Sequence, residues 1–107
     1  MDSEIIYATR FMDRLRGLRA LSRDFKGRLV LIPCHDVHTF SMSDPIDIAF
    51  VNKQGIVMAS YRDVQPRRRY SVKDACCVIE RYACPDVGWY EEHECIMSEI
   101  THLTEGE

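Results

Sequence analysis

The sequence has no apolar run near the ~20 residues that a membrane-spanning helix requires, so no span is predicted. Its opening, MDSEIIYATR, lacks the basic-then-apolar order of a secretory leader, and the chain reads as cytoplasmic. There is no CxxC pair. The five cysteines are an odd number, so a disulfide framework is not expected, and most of them read as small buried hydrophobes. A GxSxG elbow is missing, and Cys34 has no flanking signature of a cysteine hydrolase. Internal repeats and low-complexity segments are also absent.

Lys and Arg are missing from the whole C-terminal quarter. All fourteen lie at or before Arg81, against ten acids there, a net charge of +4. Residues 82–107 carry seven acids and neither Lys nor Arg, a net charge of −7. An acidic end lying against a basic face accounts for this, since charge blocks usually form solvated faces. Arg67, Arg68 and Arg69 form one basic triplet beside Tyr70. Nucleic-acid binders show a wider basic footprint with aromatic platforms, so a nucleic-acid partner is not expected.

With 107 residues, 46% hydrophobic and 29% charged, the chain suits one globular domain over residues 1–100, followed by a flexible acidic tail over 101–107. EIIYATR reads as a first strand, and FMDRLRGLRAL as a short amphipathic helix. RLVLIPC is a continuous apolar run closed by Pro33, as expected of a strand buried on both faces. HDVHTFSMSDP reads as a loop and IDIAFVN as a strand. NKQG reads as a hairpin turn in which Gly55 takes a positive φ, and IVMASYRDV as the returning strand. QPRRRYSVKD reads as an exposed connection, ACCVIERYA as a strand, CPDVGWY as a turn region and HECIMSEI as a last strand. The expected fold is mainly β (α+β): a small antiparallel barrel or sandwich of five to six strands with one short N-terminal helix.

The chemistry-bearing residues crowd into IPCHDVHTFSMSDPIDIAF, with Cys34, His35, Asp36, His38 and Asp47. CHxxH with a distant His93-x-Cys95 matches no standard zinc spacing, so no metal and no cofactor are expected. Asp47 lies between Ile46 and Ile48 in an apolar strand, and a carboxylate entering a core must be hydrogen-bonded or paired. Two readings stay open. Asp47 orients His38 as a catalytic or ligating dyad, with Cys34 as a third candidate. Or it accepts bonds from His38, Thr39 and the 38–43 loop and fixes that loop's shape. The second is preferred because no nucleophile pattern accompanies the pair. Phe40, Trp89 and Tyr90 fall in predicted loops and are candidates to line a cleft.

RLRGL at Arg14–Leu18, RLVLIPC at Arg28–Cys34, HTFSMSDPIDIAFVNKQGIV at His38–Val57 and CCVIER at Cys76–Arg81 occur in an order that resembles domain of unknown function 192, in particular its branch reading PCxxxHTFxMxxPxDxxFxDxxG. The resemblance implies a small, mostly β domain with no established reaction, and, from its branch, an accessory or binding role linked to pilus assembly or secretion. Carried over by position, the motif residues are Arg16, Gly17, Leu18, Pro33, Cys34, His38, Thr39, Phe40, Met42, Pro45, Asp47, Phe50 and Gly55, with Glu80 in the strand that reads LE in relatives. The chain departs from the pattern at IERYACPDVGWYEEHE, where Cys84 stands in place of a glycine and a final Gly-Asp is missing. The sequence therefore reads as a small non-enzymatic binding or accessory module. Its shallow cleft lies beside the 34–47 loop and is lined by His38, Thr39, Phe40, Met42 and Trp89, for a small ligand or a protein partner. The alternative is a hydrolase- or metal-type site on His38, Asp47 and Cys34.

Overall fold

The computed structural model describes residues 4–100. The acidic tail expected at 101–107 lies outside them. The elements in chain order are strand β1 (Ile5–Ala8), helix α1 (Phe11–Arg16), a 3₁₀ turn (Gly17–Ala20), β2 (Arg28–Leu31), β3 (Asp36–His38), β4 (Ile46–Val51), β5 (Val57–Val64), β6 (Arg69–Ser71) and β7 (Cys77–Tyr82). No described helix is long and apolar enough to cross a membrane.

The most apolar segments become the inner strands. The main sheet has the order β1-β2-β7-β4-β5, and all six residues of β4 are buried. The sheet is mixed rather than purely antiparallel. β1 and β2 pair in parallel, Ile5 against Arg28 through Ala8 against Leu31, and α1 with the 3₁₀ turn crosses between them. The other neighbours run antiparallel. The order runs from edge β1 to edge β5 without closing into a barrel among the described residues. The described residues form seven strands instead of five or six, because β3 and β6 form a separate two-stranded ribbon inside segments expected to be a loop and an exposed connection. HECIMSEI contributes one isolated bridge, Ile56 with Cys95, in place of a full strand.

Alternation along the strands divides the core between two faces. Leu29 and Leu31 of β2, Ile46, Ile48 and Phe50 of β4 and Val78 of β7 pack on one face, beneath Leu18 of the 3₁₀ turn and Val37 of β3. Tyr70 of β6 stacks on Tyr61 of β5 at 4.2 Å between ring centres, tying the ribbon to the sheet. Val30, Ala49, Val51, Cys77 and Ile79 point to the other face, covered by Ile96, Ile100, Trp89 and Tyr90. The hairpin between β4 and β5 turns at Asn52–Gly55, as expected: Gly55 has φ +80° and its N–H donates to the Asn52 carbonyl at 3.0 Å.

Candidate functional site

Glu80 lies within β7, the central strand. It pairs with Leu29 on one side and Ile48 on the other, which puts its side chain on the face beneath the 3₁₀ turn. It is only 4% exposed. Burial pushes its carboxyl up to about 7, against the smaller opposing effect of the Leu18 backbone N–H that it accepts. Among the described residues no cation forms an ion pair with it. The approach of Leu18 depends on Gly17. Gly17 turns the chain from α1 into the 3₁₀ turn at φ +57°, and a Cβ there would meet Glu80 Oε1 at 3.2 Å.

Above Glu80 opens a cleft of about 200 Å³. One wall is Phe11, Arg14, Leu15 and Arg16 of α1 with the 3₁₀ turn; the other is Cys34, Asp36, His38, Ser41 and Met42. Several residues singled out in the sequence, namely Arg16, Gly17, Cys34, His38, Met42 and Glu80, thus converge on one concavity. Cys34 is half-buried, and its thiol donates to the Asp36 carbonyl at 3.4 Å. Burial pushes that thiol up more than this hydrogen bond lowers it, so it is held as the neutral thiol and not as a nucleophilic thiolate. His38 is exposed, accepts the Phe40 N–H at Nδ1 (3.4 Å) and stacks on the Phe40 ring at 5.3 Å. Asp36 is held bidentately by Arg69, at 3.1 Å from Nε and 2.7 Å from Nη2. That guanidinium keeps the carboxyl below the usual carboxylate range.

The other predicted residues lie elsewhere. Thr39 is buried; its hydroxyl donates to the Gln65 carbonyl at 2.8 Å and accepts the Arg68 N–H at 2.9 Å, clamping the start of the 39–43 loop to the segment before β6. Asp47 does not bond to His38 or Thr39. Its place in β4, opposite Arg81 of β7, turns it to the far face of the sheet. There Arg81 Nε donates to it at 2.8 Å and the Asp63 N–H at 2.9 Å, with Arg62 at 4.0 Å. Asp63 has φ +55° where the β4–β5 register shifts, so Asp47 caps a bulge. Arg81 also donates to the Val87 carbonyl at 2.9 Å and lies 4.6 Å from the Trp89 ring centre. Trp89 Nε1 donates to the Ile48 carbonyl at 3.3 Å. Trp89 therefore belongs to a second hollow, with Arg28, Arg81 and Tyr90, on the face opposite Cys34 and His38. Phe40 leans on His38 without lining the cleft. Among the described residues no three His, Cys, Asp or Glu groups are placed to hold a metal ion. The acidic end does meet a basic residue: Glu99 pairs with Arg28 at 3.0 Å.

The sequence reading missed Arg14 as a wall residue, and it named Glu80 only as a motif residue of its strand, not as the floor of the cleft. The available signal was an acid and a base side by side, Glu80 and Arg81, within an otherwise apolar strand. Adjacent strand residues point to opposite faces, so each needed its own environment.

The fold is similar to two crystal structures. One is a protein of unknown function from Novosphingobium aromaticivorans DSM 12444, with TM-score 0.60 and 18% identity over 74% of this chain and 62% of that one. The other, from Sinorhizobium meliloti 1021, is provisionally described as a transcription regulator, with TM-score 0.59 and 16% identity over 74% of this chain and 67% of that one. The chain thus spans about three-fifths of the length of the first. Neither description ties those proteins to pili or secretion. No curated protein matches the sequence. The family model that matches covers residues 2–95, and the chain belongs to domain of unknown function 192 (DUF192), described as Uncharacterized ACR.

Proposed function

We propose that this domain is a binding module for a small molecule held in the cleft between α1, the 3₁₀ turn and the 34–42 segment, with Glu80 as its anchor. One observation carries the reading: a carboxylate in the middle of the central strand, 4% exposed, without an ion-pair partner among the described residues, at the floor of an open cleft. A buried acid in that position weakens the fold unless something pairs with it, and an apolar side chain would pack there at no such cost. Its presence is accounted for by a ligand that completes its hydrogen bonding. The role is binding and not catalysis. The Cys34 thiol is held neutral, and the partners of Asp47 are Arg81 and Asp63 on the far face, so Asp47 does not orient His38.

The test is amide NMR mapping of the ¹⁵N-labelled protein against a mixed set of small polar fragments. Binding in the cleft moves the Gly17, Leu18, Cys34 and Met42 amides. Shifts confined to the Trp89 indole and its neighbours would relocate the site to the second hollow and overturn the reading.

A further inference from the structure

Resting on the cleft as the binding site, we infer that its ligand is a free apolar α-amino acid, with the ammonium against Glu80, the carboxylate at Arg16 and the side chain along the wall of α1. The charges around the cleft are not equally available. Asp36 is already held bidentately by Arg69. Arg14 donates to the Thr9 carbonyl and lies over the Phe11 ring. Glu80 and Arg16 remain, opposite in sign and without an ion-pair partner among the described residues. A simple cation would share the cleft with the guanidiniums of Arg14 and Arg16. A simple anion would bring like charge toward a buried carboxylate. A zwitterion satisfies both groups at once.

Size and apolarity narrow the class further. The cleft of about 200 Å³ is below the ~300–1,000 Å³ of drug-sized pockets, so it suits a molecule no larger than an amino acid. Phe11 and Leu15, 66% and 51% exposed, line it together with Met42. No residue of α1 is buried, although half of its six residues are Phe, Met or Leu. An apolar side chain lying on that wall would remove such surface from water. A peptide N-terminus offers the same ammonium but no α-carboxylate, so the two sources of the amine can be separated.

Ammonium binding also requires Glu80 to be ionised. The titratable and charged groups facing it are Arg14 and Arg16 from α1, Cys34, Asp36 and His38 from the opposite wall, and Tyr82 on its own strand. With the Glu80 carboxyl at about 7, affinity should rise about tenfold from pH 6 to pH 8.

The test is calorimetric and NMR titration with four probes: L-leucine, leucinamide (no carboxylate), isocaproate (no amine) and leucic acid (hydroxyl for ammonium). The expected result is leucine binding at least about tenfold more tightly than each of the others, with shifts at Gly17, Leu18 and Cys34. Glu80→Gln should weaken leucine about ten- to a hundredfold and abolish the pH dependence, while Arg16→Gln weakens it by a smaller factor. Equal binding of leucinamide, isocaproate or leucic acid in the cleft would overturn the zwitterion assignment and leave the binding site standing. Silence from all four, while the mixed fragments move the same amides, would overturn the amino-acid class alone. Silence from both sets would overturn the cleft as well.

Discussion

Replacing Glu80 by Gln should change not only how stable the protein is but how its stability depends on pH. In the folded protein the Glu80 carboxyl titrates at about 7, against 4.5 for the ordinary group. Between those values the folded state holds a proton that the unfolded state has released. Unfolding stability therefore falls as pH rises through this window and is flat above it. At about 1.4 kcal/mol per pH unit, the interval from 4.5 to about 7 corresponds to roughly 3 kcal/mol. Gln cannot titrate, yet its amide oxygen can still accept the Leu18 N–H. The other groups near the cleft whose titration is shifted, Cys34, Asp36 and Tyr82, are present in both proteins, so their contributions cancel to first order in the difference. The assay is urea unfolding of wild type and Glu80→Gln at half-unit steps from pH 4.5 to 8, under reducing conditions and without ligand. The wild type should lose roughly 3 kcal/mol relative to the variant across the series, with the variant the more stable protein at pH 8. A difference constant to within about 0.5 kcal/mol would refute the reasoning. It would mean that the carboxylate is hydrated or paired, and the main support for the binding site would be gone.

Two further predictions concern what holds the site in place. Asp47→Asn keeps an acceptor for the Asp63 N–H but leaves Arg81, 8% exposed, without its anion; stability should fall by about 3 kcal/mol in urea unfolding, and a loss below ~1 kcal/mol would contradict the buried pair. Gly17→Ala forces a side chain into φ +57° and toward Glu80 Oε1 at 3.2 Å, so the thermal midpoint should drop by an amount equivalent to about 1–3 kcal/mol; an unchanged midpoint would show that this turn is not constrained.

Much of the frame was legible before any coordinates. The β4–β5 hairpin with Gly55 at its turn followed from local chemistry, as did the buried β2 ahead of Pro33 and the start of the short helix, which was expected over 11–21 but ends at Arg16, where Gly17 at positive φ turns the chain into the 3₁₀ turn. Asp47 was correctly expected to need a partner, but its neighbours in the chain were the wrong place to look. The ribbon of β3 and β6 escaped detection because three-residue strands leave no periodic signature. They exist only because Asp36–His38 meets Arg69–Ser71 across some thirty residues.

The sequence alone determined the five strands of the main sheet, that charged residues lay inside the apolar strands at Asp47 and Glu80, and that Cys34, His38 and Met42 would be close neighbours. Tertiary structure decided which face each charge would occupy. Alternation along a strand relates Asp47 to Ile46 and Ile48, and Glu80 to Arg81, but it does not relate one strand to the next. The register between β4 and β7, with Asp47 opposite Arg81 and Ile48 opposite Glu80, sent one carboxylate to a guanidinium on the far face and the other to the floor of the cleft. A slip of one residue would exchange those fates, because side chains in a sheet repeat every second residue.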